Sequence, residues 1–184
     1  MKILFLDVDG VLNSERSFRA AKGRLAVCEN QDDPYYRKIT KCTIDPVACA
    51  LIDRICSEGG VKIVISSTHR KHFNDGPEKL AQLNSYFQFL GLSTEIVGWT
   101  DSLGVPGDTQ EERASFYACL KGHEIQKWLD EHPEVTHYAI IDDSSDMLPE
   151  QLQNFVRTNG MDGMSTKNYL DLQILFSISE SNII

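Results

Sequence analysis

The chain is predicted to adopt an α/β fold in which helices cover both faces of a mostly parallel sheet. Its apolar runs of strand length, such as KILFL (2–6) and VKIVIS (61–66), are continuous rather than alternating. Continuous runs are typical of strands that are buried on both faces. Segments with helical periodicity separate these runs along the chain. Polar residues follow the strand ends, where ligands bind in open parallel sheets.

The first half of the chain supplies two strands and two helices of this fold. After the strand at 2–6, residues 13–44 lack clear periodicity and are interpreted as an insertion. A helix is predicted to begin at Pro46 with Asp45 as its N-cap, and to stop at Gly59 and Gly60. Its expected apolar positions are Val47, Leu51, Ile52 and Ile55. The strand at 61–66 is followed by a helix at 77–91, whose apolar stripe comprises Leu80, Leu83, Phe87 and Leu90.

The second half is predicted to complete the sheet with three strands, at 94–100, 137–142 and 155–158. Residues 101–109 are expected to form a loop, and residues 112–131 a helix with a break at Gly122. A final helix is predicted to begin after Ser165, its N-cap. The residues of this helix that are expected to face the core are Leu170, Ile174 and Leu175.

Length and composition predict one domain over residues 1–184, with 41% hydrophobic and 24% charged residues. No apolar stretch approaches the length of a membrane span, and the N-terminal run is too short and too acid-ended for a signal peptide. We therefore expect a cytoplasmic protein that has no membrane partner. The five cysteines contain no C-x-x-C pair, so buried core thiols are expected, with a structural zinc site as the alternative.

The net charge of −9 disfavours broad contact with nucleic acid, but the charge is unevenly distributed. Residues 13–44 carry seven basic and four acidic side chains, a local charge of +3, so the remainder carries −12. This excess could favour an anionic substrate, or it could be an ordinary solvated face. The insertions at 13–44 and 101–120 are expected to shape substrate choice.

Carboxylates cluster after the first and fourth predicted strands. Asp7 and Asp9 alternate, so they point to the same side of a strand, and Asp142, Asp143 and Asp146 follow the strand at 137–142. Such a cluster is costly without a cation, and oxygen ligands favour Mg²⁺. A carboxylate nucleophile and a second carboxyl as general acid and base would suit phosphoryl transfer. Asp146 could instead cap the next segment.

Candidate phosphate ligands follow the second strand and begin a later helix. The sequence ISSTHR (65–70) offers the hydroxyls of Ser66 and Ser67 and the guanidinium of Arg70. Lys121 precedes a helical pattern, where a positive charge opposes the helix dipole. Because a local rule broken without local gain often marks a functional position, Lys121 is a further candidate.

These motifs together resemble the haloacid dehalogenase (HAD) superfamily of phosphohydrolases. The resemblance comprises D-x-D-G at 7–10, a serine at 66, a lysine at 121 and paired aspartates at 142–143, in the family's order. It implies a Rossmann-like parallel sheet with a small or minimal cap. Val11 stands where most members carry threonine after this glycine.

The resemblance also implies the roles of the site residues. Asp7 would be the nucleophile and Asp9 the general acid and base, while Ser66 and Lys121 would bind phosphate. Mg²⁺ would be held by the Asp7 carboxylate, the Asp9 backbone carbonyl, and either Asp142 or Asp143. Arg70 resembles the arginine of phosphatase domains in polynucleotide end-healing enzymes. The chain from residue 121 onwards resembles small, nearly capless HAD domains, some of which accompany polynucleotide repair modules while others stand alone.

We therefore expect a Mg²⁺-dependent phosphatase that hydrolyses a small-molecule or nucleotide phosphate monoester through an aspartyl-phosphate. The alternatives are a polynucleotide 5′- or 3′-end phosphatase, a protein phosphatase, and a non-catalytic binding module of the same fold. His69 and His72 are expected to border the substrate rather than to bind zinc. Four aromatic residues are expected in the core or at the rim rather than as a base-stacking platform, namely Tyr35, Tyr36, Trp99 and Phe116.

Overall fold

A five-stranded, wholly parallel sheet lies at the centre of the computed structural model, which describes residues 1–20 and 44–178. Its order, β3-β2-β1-β4-β5, places the first strand in the middle. This sheet confirms the predicted fold class, and each strand lies within two residues of its predicted bounds. The strands are β1 (Lys2–Leu6), β2 (Val61–Ile65), β3 (Ile96–Trp99), β4 (His137–Asp142) and β5 (Phe155–Arg157).

The register of the three central strands brings their carboxyl ends to one level. Leu6 lies opposite both Ile65 of β2 and Ile141 of β4. The N–H of Asp7 then donates to the Ile141 carbonyl at 3.1 Å, and the N–H of Ser66 donates to the Leu6 carbonyl at 3.0 Å. The first residues beyond these strands therefore lie side by side at one edge of the sheet.

Helices cover both faces of the sheet, as predicted. The α-helices of the described residues are α1 (Glu15–Ala20), α2 (Pro46–Gly59), α3 (Lys79–Phe89), α4 (Gln110–Ala118), α5 (Leu120–Glu131) and α6 (Thr166–Leu175). Two 3₁₀ helices, Thr68–His72 and Pro149–Asn154, follow β2 and β4. Asp45 caps α2 by accepting from the N–H of Val47 at 2.9 Å, and Gly60 ends that helix with a φ of 63°.

Alternate residues of β1 belong to two separate hydrophobic clusters, as expected for a strand with both faces buried. Leu4 and Leu6 pack with α2, α3 and α6, whereas Ile3 and Phe5 pack with α5. On that second face, the ring of Trp128 meets Phe5 edge to face, with centroids 5.4 Å apart. The side chains of β1 therefore pack against helices on both faces of the sheet.

The helical segment before β4 breaks at Cys119 rather than at Gly122. Cys119 has a non-helical ψ of 28° and separates α4 from α5. Gly122 lies inside α5, where its N–H donates to the carbonyl of Asp146 at 2.9 Å. A Cβ at this position would lie only 2.5 Å from the backbone nitrogen of Leu148. The glycine therefore permits close packing and does not end the helix.

Helix α6 presents a different face to the core from the one that its apolar residues indicate. Leu170 and Ile174 are 42% and 75% exposed, and only Leu175 of the predicted set packs partly against the core. The buried apolar residues are Tyr169, Leu172 and Phe176. Two polar residues, Asn168 and Gln173, are buried beside them, so hydrophobicity alone misjudges the phase of the helix. Val47, one of the predicted apolar positions of α2, is likewise 61% exposed.

Most of the insertion predicted at 13–44 lies outside the described residues. The described part contains α1 and an antiparallel bridge between Asn13 and Ile44. The part that is not described includes Tyr35, Tyr36, Cys28, Cys42 and the basic residues from Lys22 onwards. In the insertion predicted at 101–120, α4 has no buried residue. None of the described helices has the length and apolar character that crossing a membrane requires.

The phase of α6 predicts a contrast between two substitutions. Leu172→Ala should lower the free energy of unfolding by about 2–5 kcal/mol, because the leucine is fully buried. Ile174→Ala should change it by less than about 1 kcal/mol, because that side chain is 75% exposed. Urea unfolding of both variants measures the difference, and equal losses would contradict the observed phase.

Candidate active site

Three carboxylates meet at the carboxyl edge of the sheet. Asp7 follows β1, while Asp142 and Asp143 stand at the end of β4. One oxygen of each lies within 4.8 Å of the others, and within residues 1–20 and 44–178 they form the one group of three or more side chains placed to share a metal ion. The sequence predicted this convergence from the ends of two strands.

Lys121 supplies a positive charge beside these acids. Its Nζ lies 2.5 Å from an oxygen of Asp142 and 3.4 Å from one of Asp7. Burial opposes the charge on this lysine, but Asp7 and Asp142 outweigh burial and raise its pKa above the usual value. Lys121 is the second residue of α5, and the carboxylate of Asp146 accepts from its N–H at 3.2 Å. Asp146 therefore caps the helix that carries the lysine.

Burial makes the carboxylate cluster electrostatically costly. Desolvation raises the pKa of Asp7, and desolvation followed by repulsion from Asp7 raises the pKa of Asp142 to about 7. One lysine does not neutralise three acids, and a divalent cation would relieve the remaining repulsion. Carboxylate oxygens are the hard ligands that Mg²⁺ prefers, so the donor set fits this ion.

Gly10 is required because the loop after β1 passes directly against Asp143. The glycine has a φ of 76°, and a Cβ on it would lie 2.3 Å from the carboxyl carbon of Asp143. Its carbonyl accepts from the hydroxyl of Thr158 at 2.8 Å. The next residue, Val11, is fully buried in the core, so the position that is usually threonine packs here as an apolar residue.

Asp9 occupies a different environment from the other acids. Its side chain is 62% exposed, and it accepts from Asn13 at 2.7 Å and contacts His69 at 3.2 Å. The hydrogen bond with His69 is the main reason that the pKa of Asp9 is lowered to about 2. The Asp9 side chain does not join the carboxylate group of Asp7. Sequence reasoning missed Asn13, although it closes the same short motif four residues later.

The two serines after β2 differ in their contacts. Ser67 hydrogen-bonds the carboxylate of Asp7, and its oxygen also accepts from the N–H of His69 at 3.3 Å. Ser66 is fully buried, and no residue in the described part of the chain hydrogen-bonds its hydroxyl. Both serines thus lie at the edge where the carboxylates meet.

Residues 3–169 match the family described as the HAD domain in Swiss Army Knife RNA repair proteins. The chain belongs to this family. No curated protein and no solved structure matches the chain significantly. The match confirms the superfamily that the four motifs indicated. HAD domains generally use Mg²⁺, and the Asp7, Asp142 and Asp143 carboxylates offer suitable ligands in this one.

In this HAD domain, Arg70, which the sequence predicts as a phosphate ligand, has its guanidinium bonded to other groups of the protein. Its guanidinium is 4% exposed and pairs with the equally buried carboxylate of Glu124 at 2.5 Å. It also donates to the carbonyl of Ser66 at 2.8 Å. Because these partners engage its terminal nitrogens, Arg70 connects the end of β2 to α5. Glu124, which the sequence did not single out, is therefore a structural residue of the site.

The remaining candidates of the HAD domain lie around the site rather than in it. Cys49 and Cys56 are buried in the core, where burial raises the pKa of each thiol to about 12. Trp99 lies beneath the Nζ of Lys79 and borders a cleft of about 450 Å³, which Arg70 and Lys71 also line. Phe116 is half-buried and stacks on His123.

Proposed function

We propose that this protein is a Mg²⁺-dependent phosphatase that hydrolyses phosphate monoesters through an aspartyl-phosphate on Asp7. The observation that carries this proposal is the group formed by the buried Asp7 and Asp142 and the half-buried Asp143, with Lys121 among them. Membership of the HAD family supports hydrolase chemistry in general. A non-catalytic binding module is the rival of another class, and the complete set of acids argues against it.

In the proposed first step, a carboxylate oxygen of Asp7 attacks phosphorus, and the bond from phosphorus to the leaving oxygen breaks. Asp9 gives its proton to that leaving oxygen. In the second step Asp9 takes a proton from water as the water oxygen attacks phosphorus. The bond between phosphorus and Asp7 breaks, which releases inorganic phosphate and restores both carboxyl groups.

The low pKa of Asp9 agrees with this cycle when the substrate binds before Asp9 takes up its proton. With a pKa of about 2, Asp9 is ionised in the free protein. The negative charge of a bound phosphate would favour protonation of the adjacent carboxylate, because like charges raise a pKa. The protonated Asp9 that donates to the leaving group thus belongs to the substrate complex.

The other residues of the site would bind the phosphoryl group and the ion. Lys121 and the hydroxyls of Ser66 and Ser67 are the proposed phosphate donors. Both oxygens of Asp142 already have partners, namely Lys121 and the N–H of Ser144, so we propose Asp143 and Asp7 as the direct Mg²⁺ ligands. When bound, the ion would reduce the repulsion between Asp7 and the phosphate.

An RNA end is a second candidate substrate beside a small-molecule or nucleotide monoester. The family description, which names RNA repair proteins, is the observation that favours it. Arg70, which donates to the Ser66 carbonyl, also lines the cleft of about 450 Å³ that contains Lys71 and Trp99, and we propose this cleft as the place for a group beyond the phosphate. The net charge of −9 favours a short contact with a chain end over a long track along a polynucleotide.

Replacing the proposed nucleophile tests the mechanism. Asp7→Asn should lower kcat for an aryl phosphate by at least about 10³-fold, because the amide cannot form the aspartyl-phosphate. The exposed Asp130→Asn on α5 is the matched control and should keep normal turnover. Turnover is measured with and without Mg²⁺, and normal activity of Asp7→Asn would exclude Asp7 as the nucleophile.

Mg²⁺ binding should weaken as the pH falls. Between pH 8 and pH 6 the Asp142 carboxyl, with its pKa of about 7, gains a proton and loses its attraction for the ion. We expect the affinity for Mg²⁺ to fall on the order of tenfold across this range, since protonation of one group opposes binding. Titrating the metal-free protein with Mg²⁺ and following the thermal midpoint measures this change. Asp143→Asn should abolish the rise in thermal midpoint that Mg²⁺ causes at both pH values. If the affinity of the unsubstituted protein for Mg²⁺ does not change with pH, the prediction is wrong.

A substrate panel separates the two candidate substrates. If an RNA end is the substrate, kcat/KM for 5′- or 3′-phosphorylated oligonucleotides should exceed that for the matching mononucleotides by at least about tenfold. Raising the salt concentration should reduce this preference only modestly, because a short contact releases few counterions. Equal kcat/KM values for oligonucleotides and mononucleotides would instead favour the small substrate.

A further inference from the structure

His69 lies between the exposed acid of the site and the core. The residue is only 6% exposed. Its Nε2 is 3.2 and 3.3 Å from the two carboxylate oxygens of Asp9, and its Nδ1 is 3.4 Å from the phenol oxygen of Tyr86. The three side chains come from the loop after β1, the 3₁₀ helix after β2, and α3. They form a chain from the core to the site edge.

The chemistry of these groups fixes the direction of the hydrogen bonds. An ionised carboxylate can only accept, so Nε2 of His69 carries the proton and donates to Asp9. In the neutral imidazole, Nδ1 is then the acceptor for the hydroxyl of Tyr86. Tyr86 itself is 5% exposed and held edge to face between Phe73 and Phe87. Its fixed ring therefore holds the histidine in one orientation.

Asp9 needs this support because its own surroundings constrain it little. Its side chain is 62% exposed and would otherwise rotate in solvent. Asn13 provides the second donor at 2.7 Å, and its own amide oxygen accepts from the N–H of Gly10 at 3.0 Å. His69 and Asn13 therefore hold the carboxylate from two directions.

We propose that His69 is a positioning residue that holds the carboxylate of Asp9 in the direction of the leaving-group oxygen, with Tyr86 fixing the imidazole. This proposal rests on the proposed phosphatase function. Its consequence is specific to one half of the reaction. Misdirecting Asp9 impairs protonation of the leaving group, and esters whose leaving group departs without a proton should be spared.

The test compares two phosphate monoesters, 4-nitrophenyl phosphate and a simple alkyl phosphate, in the presence of Mg²⁺. The 4-nitrophenolate ion is a stable leaving group, whereas an alkoxide needs the proton from Asp9. The parameter is kcat/KM, because it reports the steps through departure of the leaving group. His69→Leu should lower kcat/KM for the alkyl ester by about 10²-fold and for the aryl ester by less than about threefold.

Three further variants separate positioning from a general structural role. His69→Gln places an amide donor near the former Nε2 and should restore most of the activity on the alkyl ester. Tyr86→Phe removes only the hydroxyl that contacts Nδ1 of His69. It should therefore change the ratio of the two kcat/KM values in the same direction as His69→Leu, by a smaller factor. His137→Gln, at the exposed first residue of β4 and at the opposite edge of the sheet, should leave both values unchanged.

Each outcome decides the proposal. Equal losses for both esters, or a His69→Gln variant as impaired as His69→Leu, would assign His69 a merely structural role. If His69→Leu does not fold, the ratio for Tyr86→Phe decides, and an unchanged ratio overturns the proposal. A well-folded wild-type protein that hydrolyses neither ester would remove the proposed phosphatase function itself, and the positioning role with it. If the wild-type protein is active but the variants lose kcat/KM equally on both esters, only the positioning role is excluded.

Discussion

The meeting of three carboxylates, two of them buried, at one sheet edge is the constraint on which the rest of the site depends. Asp7, Asp142 and Asp143 lie close enough to repel one another, and Lys121 compensates for only part of their charge. Lys121 lies in the first turn of α5, where the helix dipole opposes its positive charge. Asp146 then caps the same helix. The clustered acids and the lysine in the first turn of the helix are each unfavourable alone, and each offsets the cost of the other.

The fold itself could be predicted well from the sequence, because local patterns determine it. Continuous apolar runs identified every strand, and the rule for parallel sheets placed their polar ends together. The predictions failed where tertiary contacts decide. Gly122 reads locally as a helix breaker, but it is a glycine because Leu148 packs against it. The face of α6 was misjudged because the buried Asn168 and Gln173 do not contribute to an apolar stripe.

The site was predictable for residues that follow strands and unpredictable for those paired across the chain. Asp7 and Asp142 needed only the rule that the residues following parallel strands meet at one edge of the sheet. Arg70 instead bonds Glu124, 54 residues later, and no local pattern connects the two. His69 and Asp9 are 60 residues apart and meet only because β1 and β2 are neighbours. Their contact depends on sheet order and on a short 3₁₀ helix, which sequence periodicity does not reveal.

Helix α5 unites two parts of the site that are distant in sequence from each other. Lys121 and Glu124 are three residues apart, so they lie on one side of the same turn. One is the counter-charge of the carboxylates, and the other anchors Arg70 and, through it, the end of β2. A rigid shift of this single helix would change both at once. The segment that leads into α5 from α4 therefore bears on the positions of both residues, and a change in it would move Lys121 and Glu124 together without replacing either.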